Sequence, residues 1–385
     1  MITNTTAITL SSYLAMLFLG VGNSLVGGAA RNIGLSPFQI GLLIAIQNIG
    51  FMVSVLFSGA LADRHEKPRL LFVGSLILSA SFLTFYLSDD YWVNLIIMLF
   101  IGAGVGTYEG VTDVMLLDIH TERVGFHINV NHLFVTIGSA LITIYLLFLE
   151  MNWRKAIIQA GIVVFLLAVF FAFTKLERKQ RQSKETSLNF RMLFQNRTMV
   201  IFFLLTILVV GVELGTLGIL TTYLMQLRQF TQLTSKIGLI VFLGGVATGR
   251  LVIGLLTRED KIIQYLRTLF GCAVFIFLGL YFLDLGGAMY LMIFLAGITI
   301  SEVFPLIITL AGLQFKDHAG TVIGVIKVAV PIGGILIPFG MSLIAQFDSL
   351  QTSLLIFPLA FLLALGLTAF GIRGIHPPRS AATSE

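Results

Sequence analysis

The chain has 385 residues, of which 57% are hydrophobic and only 11% charged, and its mean hydropathy is +0.97. A soluble domain carries roughly 25% charged residues, so composition excludes an ordinary globular enzyme. The net charge of +5 is spread in short Lys and Arg clusters between apolar runs, so no nucleic-acid partner is expected.

A membrane helix needs about 20 mostly apolar residues. The first half contains such runs at 7–28, 37–58, 70–88, 91–117, 126–149 and 154–174. The second half contains them at 198–225, 235–256, 262–283, 288–313, 320–345 and 349–373. The predicted fold is therefore an all-α membrane protein of twelve transmembrane helices. No Lys or Arg precedes the first run, which reads as a retained helix and not as a secretion signal.

Lys and Arg set the orientation. With both termini in the cytoplasm, only Arg31, Arg154, Lys155, Arg228 and Lys236 fall outside, and Arg250 and Lys327 fall within spans. All the other basic residues then lie inside, so a multi-pass protein of the cytoplasmic membrane is expected. The basic stretch "KLERKQRQSKETSLNFRMLFQNR", 175–197, reads as a cytoplasmic linker, with contact to lipid headgroups as the alternative. It divides a bundle over 1–174 from a second over 198–385, which ends in a short cytoplasmic tail. The single cysteine, Cys272, sits in "LFGCAVFIF" and is expected to be a small packing residue.

The halves match each other in three blocks. "GFHINVNHLFVTIGSALI" from Gly125 lies over "GTVIGVIKVAVPIGGILI" from Gly320, placing His132 on Lys327. "GALADRHEK" from Gly59 lies over "GLLTREDK" from Gly254. "GVGTYEG" from Gly104 lies over "GITISEV" from Gly297, placing Glu109 on Glu302. Two repeats of six helices are the signature of a secondary transporter, with substrate expected near the midplane between two pseudo-symmetric bundles.

The loop "GALADRHEKPR" resembles the signature gating loop of the major facilitator superfamily. The resemblance implies roles for Gly59, Asp63, Arg64, Lys67 and Arg69. Gly59 would permit close helix contact, Asp63 would meet a helix end or an arginine, and the basic residues would hold the loop in the cytoplasm. In the second copy Arg258 stands where Asp63 would be. Within that superfamily, "GVGTYEG", "VVGVELGTLGILTTYL" and "EVFPLIITLAG" followed by "GTVIGVIKVAVPIGGILIP" resemble the fucose permease-like family of fucose, galactose and glucose proton symporters. Two positions depart from its pattern. Asn23 stands where the permeases carry an aspartate, and Ile219 where relatives carry a tryptophan.

Ionisable groups inside a membrane are costly and mark function or pairing. Glu109 and Asp113, spaced i, i+4, share one helix face. Glu213 and Glu302 lie mid-span in the second half. These acids, with His132 as a relay, are the candidate proton-coupling residues, and locking charges between helices is the alternative for Glu302 and Lys327. Asn23, Gln47, Asn48, Glu213 and Lys327 are candidate substrate-binding residues, with interhelical hydrogen bonding as the alternative for the amides. Lys327 is expected to meet Glu302, Glu213 or an anionic substrate group. Asp118 reads as an ordinary loop acid. Pro305, Pro331 and Pro338 are expected to bend their spans.

No phosphate-cradling loop, metal-spaced His/Cys cluster or catalytic triad can be placed, so no cofactor, metal or enzyme activity is expected. The expected function is proton-coupled symport of a small polar, sugar-like solute by a monomer in the lipid bilayer. Proton-driven efflux of amphiphilic compounds is the alternative.

Overall fold

The computed structural model describes residues 2–62, 65–120, 124–149, 152–176, 196–256, 261–315 and 319–371. Among them are twelve spans long and apolar enough to cross a membrane. Asp63, Arg64 and Arg258, most of the 175–197 linker and the C-terminal tail lie outside the described residues.

Six helices form the first half: α1 Thr5–Ile33, α2 Pro37–Ala62, α3 Lys67–Thr84, α4 Tyr91–Ile119, α5 Val124–Phe148 and α6 Trp153–Ala172. Their starts are set by short polar caps. Asn4, Asp90 and Asn152 accept first-turn backbone N–H groups, which are otherwise unpaired. Gly34 ends α1 at φ 83, a left-handed conformation that glycine takes without a Cβ clash.

The second half has α7 Arg197–Leu227, α8 Gln232–Leu256, α9 Ile262–Phe282, α10 Met289–Ser301, α11 Val303–Gln314, α12 Ala319–Phe347, the short α13 Leu350–Ser353 and α14 Ile356–Gly366, extended by a π turn over Leu367–Gly371. The tenth span is broken at Glu302, between α10 and α11. Pro305 explains the break, because it has no N–H to donate to the Ser301 carbonyl one turn earlier. Pro331 and Pro338, by contrast, lie within the unbroken α12.

The chain divides into two compact units, one up to Glu185 and one from Thr186. In the first, α2 packs on α4, α1 on α5 and α3 on α6. The second repeats the scheme with α8 on α10, α7 on α12 and α9 on α14. Ile2 forms a bridge with Thr174, so the start of the first unit lies beside the end of its sixth helix.

The closest helix approaches define the register of the repeat. A Cβ on Gly102 would lie 1.9 Å from the Gln47 carbonyl oxygen, and one on Gly50 would lie 2.0 Å from that of Leu99. The second unit has the same pair, with Gly297 against the Phe242 oxygen at 2.3 Å and Gly245 against that of Phe294 at 2.2 Å. All four positions are related by a shift of about 195 residues, as expected of a transporter repeat. The same shift relates Gly138, packed on Leu17, to Gly333, packed on Ile207. It also relates Tyr86 to Tyr281, whose backbone carbonyls accept from Arg154 and Arg228. His132 and Lys327 are mates on this register.

Glu109 and Glu302 are not mates. The glycine contacts place Glu302 opposite Thr107 and Glu109 opposite Phe304, two residues away, which is about 200° around a helix. The two-glutamate match in the sequence followed similar letters, whereas the helices are aligned by where their backbones touch.

Candidate functional site

Two clusters of intramembrane charge stand out, one in each unit. The first lies on α4 and α5. Glu109 and Asp113 sit one turn apart on α4, and with His132 of α5 their donor atoms all lie within 4.8 Å of one another. His132 Nε2 is 3.0 Å from Asp113 Oδ2. Asn131, fully buried, donates to Asp113 Oδ1 at 2.9 Å and to Thr112 Oγ1 at 3.0 Å. Its own oxygen accepts from Ser12 of α1 at 3.2 Å.

This network has a chemical consequence. Asn131 gives both of its amide hydrogens, so Asp113 Oδ1 is committed as an acceptor. The hydrogen bond from Asn131 favours Asp113 Oδ2, the His132 ring and the Glu109 carboxyl as residences for a mobile proton in this cluster. The Asp113 side chain is 13% exposed and that of His132 37%, so the cluster is shielded on one side and open on the other. Three donors this close can hold one proton in common. Asp113 pairs with His132.

The second cluster centres on Arg250 of α8, which sequence reading had noted only as a charge within a span. Arg250 Nη2 lies 3.5 Å from Glu213 Oε1 of α7. Its Nε donates to the Ser301 carbonyl at 3.4 Å, the acceptor that Pro305 leaves without a helical partner. The charge of Arg250 also acts on Glu302. One guanidinium thus serves two carboxyls and a broken helix end. Glu213, one of the acids expected to meet Lys327, pairs with Arg250. Lys327 itself is half-buried on α12.

Arg250→Met is expected to lower the melting temperature, since it leaves Glu213 without the cation it pairs with, a loss of about 1–3 kcal/mol. Adding Glu213→Gln should recover most of the loss, because the two changes couple. Thermal melts in detergent measure both. An unchanged melting temperature for the single variant would show that the pair is not structural.

The amides expected to bind substrate divide. Gln47 donates to the Gly22 carbonyl of α1 at 3.1 Å, and Asn48 to its own helix at Ile44, 2.9 Å. Both are buried, so Gln47 is an interhelical tie and Asn48 has one amide hydrogen committed. Asn23 is half-buried and makes no hydrogen bond among the described residues. The packing of Leu17 on Gly138 and of Ile207 on Gly333 makes α1 and α7 equivalent in the repeat, so that Asn23 and Glu213 occupy corresponding positions. The position without an acid in α1 therefore carries one in α7.

Several expectations around the signature loop change. A Cβ on Gly59 would meet only Gly110 O, at 3.9 Å, whereas one on Gly110 would lie 2.5 Å from Ser58 Oγ. The tight contact is at Gly110, not Gly59. Lys67 is the first residue of α3 and pairs with Asp118 at 2.7 Å, the two side chains being 12% and 9% exposed. Asp118 is thus no ordinary loop acid but locks the end of α4 to the start of α3. Arg69 pairs with Glu66 at 2.9 Å on the exposed side. Lys236, expected outside the membrane, lies within α8 and is 1% exposed. Cys272 is exposed on α9 instead of packed.

Comparisons with known proteins agree with this architecture. The family model for the Major Facilitator Superfamily matches residues 5–338. The glucose/mannose transporter GlcP of Bacillus subtilis (strain 168) is 22% identical over 358 residues, 86% of this chain and 85% of that protein. The crystal structure of the nucleoside transporter NupG superposes with a TM-score of 0.79 at 13% identity, covering 96% of this chain and 99% of that one. The crystal structure of a D-xylose-proton symporter gives 0.77 at 13% identity, covering 94% and 97%. Twelve spans, the internal repeat and a family match over most of the length lead to one conclusion: this chain belongs to the Major Facilitator Superfamily, and it is a multi-pass membrane transporter of small solutes and not an enzyme.

Proposed function

We propose that the protein is a proton-coupled symporter of a small, sugar-like polar solute, working by alternating access as a monomer with both termini in the cytoplasm. The observation that carries this reading is the Glu109–Asp113–His132 cluster, whose donor atoms lie within 4.8 Å of one another. A carboxylate at membrane depth is costly when charged, and a neighbouring imidazole offers the proton a second residence at neutral pH. Protonation from one side makes the cluster neutral enough to close. Loss of the proton on the other side resets it. Asn23 and the Glu213–Arg250–Glu302 group supply hydrogen-bonding groups for a hydroxylated solute. The relatives named for glucose, mannose and D-xylose transport support the sugar class, as does the resemblance of helices four and seven to sugar permeases.

The test is proton movement on solute addition. Proteoliposomes carrying an interior pH dye would be given hexoses, pentoses, nucleosides and cationic dyes in turn. A monosaccharide should acidify the interior as it enters. Proton exit on addition of a cationic dye would instead establish the efflux reading, and no coupled proton flux with any solute would overturn both.

A further inference from the structure

Where α1 begins, α4 ends and α5 begins, two histidines stack. The His120 and His127 rings lie 3.7 Å apart, centroid to centroid, and 12° from parallel. Each is anchored to α1. His120 Nε2 is 2.8 Å from Thr9 Oγ1, and His127 Nδ1 is 2.7 Å from the Tyr13 hydroxyl. Tyr13 in turn stacks on Phe134 of α5.

Thr9 Oγ1 also lies 2.8 Å from the Thr5 carbonyl, to which it can donate. When it does so it accepts from His120 Nε2, which leaves Nδ1 as the bare nitrogen that can take a proton. Two imidazolium charges stacked face to face at this distance would repel each other. Burial, and next the His127 ring, hold the pKa of His120 below its ordinary value. His120 therefore releases a captured proton readily.

Position connects the pair to the coupling cluster. Glu109 and Asp113 follow at i and i+4 on α4, and His120 caps the end of the same helix at i+11. His127 and Asn131 follow at i and i+4 on α5, and Asn131 bonds Asp113. From Asp113 to His120 the rise is about 10 Å. Charged groups near this end, among the described residues, include the Lys67–Asp118 pair, the exposed Arg69–Glu66 pair and Lys175, whose backbone N–H bonds Ile2. The first two are already neutralised by pairing.

We propose that the stacked His120–His127 pair is the proton exit port, accepting the proton that leaves Glu109–Asp113–His132 and passing it to the aqueous phase at this end of the protein. This rests on the proton-symport reading above. The proton moves from Asp113 Oδ2 or His132 Nε2 through water to His120 Nδ1, and from the pair to bulk water or buffer. On the orientation given by the basic residues, this end is cytoplasmic.

The experiment uses the full chain in proteoliposomes, with the monosaccharide that gives wild-type uptake. His120→Gln/His127→Gln keeps a hydrogen-bonding group at each site. Gradient-driven uptake should slow about tenfold or more, while solute exchange at equal pH, which needs no net proton release, should continue at the wild-type rate and report a folded protein. Imidazole trapped inside the vesicles should restore uptake in the variant and leave the wild type unchanged. Thr9→Val should give an intermediate slowing. Unchanged uptake in the double variant overturns the proposal. So does an equal loss of uptake and exchange without imidazole rescue, which would make the pair a helix latch only. If the wild type itself moves no protons with solute, the symport reading fails, and this proposal with it.

Discussion

Glu109→Gln should abolish accumulation of solute against its gradient while leaving binding and equal-pH exchange in place. Gln has the shape of a protonated glutamic acid and cannot release a proton. The variant should therefore carry solute as a facilitator with no response to an imposed pH gradient. The physical basis is the cluster on α4 and α5, where Asn131 holds Asp113 Oδ1 and His132 faces Oδ2 at 3.0 Å. Glu109 lies within 4.8 Å of both partners, so its carboxyl shares their proton. Asp113→Asn should be more damaging than its position alone suggests, since it also removes the partner of His132. The measurement is the ratio of interior to exterior labelled solute at steady state, with and without a proton gradient. A Glu109→Gln protein that still concentrates solute would move the coupling role to Glu213 and Glu302 around Arg250.

Gly102→Leu should leave almost no folded protein. A Cβ there would lie 1.9 Å from the Gln47 carbonyl oxygen, so α2 and α4 would have to separate along their whole contact. Backbone cannot move aside as a flexible side chain does, and the cost should exceed the roughly 1–3 kcal/mol of ordinary overpacking. Gly297→Leu should fail in the same way, because Gly297 meets the Phe242 oxygen at 2.3 Å. Gly244→Leu is the control, with nothing within 4 Å of its added Cβ and an exposed position on α8. Size-exclusion profiles of the detergent-solubilised variants measure the outcome. Normal elution of Gly102→Leu would contradict the register drawn from these contacts.

Much of the architecture was legible because lipid leaves few choices. A chain that crosses a bilayer must satisfy its backbone within each helix, so every long apolar run became a span and its ends could be placed within a few residues. Charges were equally visible. Glu109, Asp113, His132, Glu213 and Glu302 stand out against apolar neighbours, and all five fall in the two clusters. The break at Glu302 followed from Pro305. The repeat was visible too, though its third block was read two residues out of register, because letter matching favoured two glutamates over two glycines.

What sequence alone determined is therefore the list of spans, the six-plus-six repeat, and which residues carry charge where charge is expensive. These are local properties, set by hydropathy over one helix length and by the chemistry of single side chains. Partners were decided only by tertiary structure. Asp113 bonds Asn131 and His132 across 18 and 19 residues of sequence, Lys67 reaches Asp118, Arg250 serves Glu213 and the end of α10, and His120 lies flat on His127. No periodicity encodes these pairings. They depend on the rotation of each helix about its axis and on its depth against its neighbour, and both are set where glycine backbones touch.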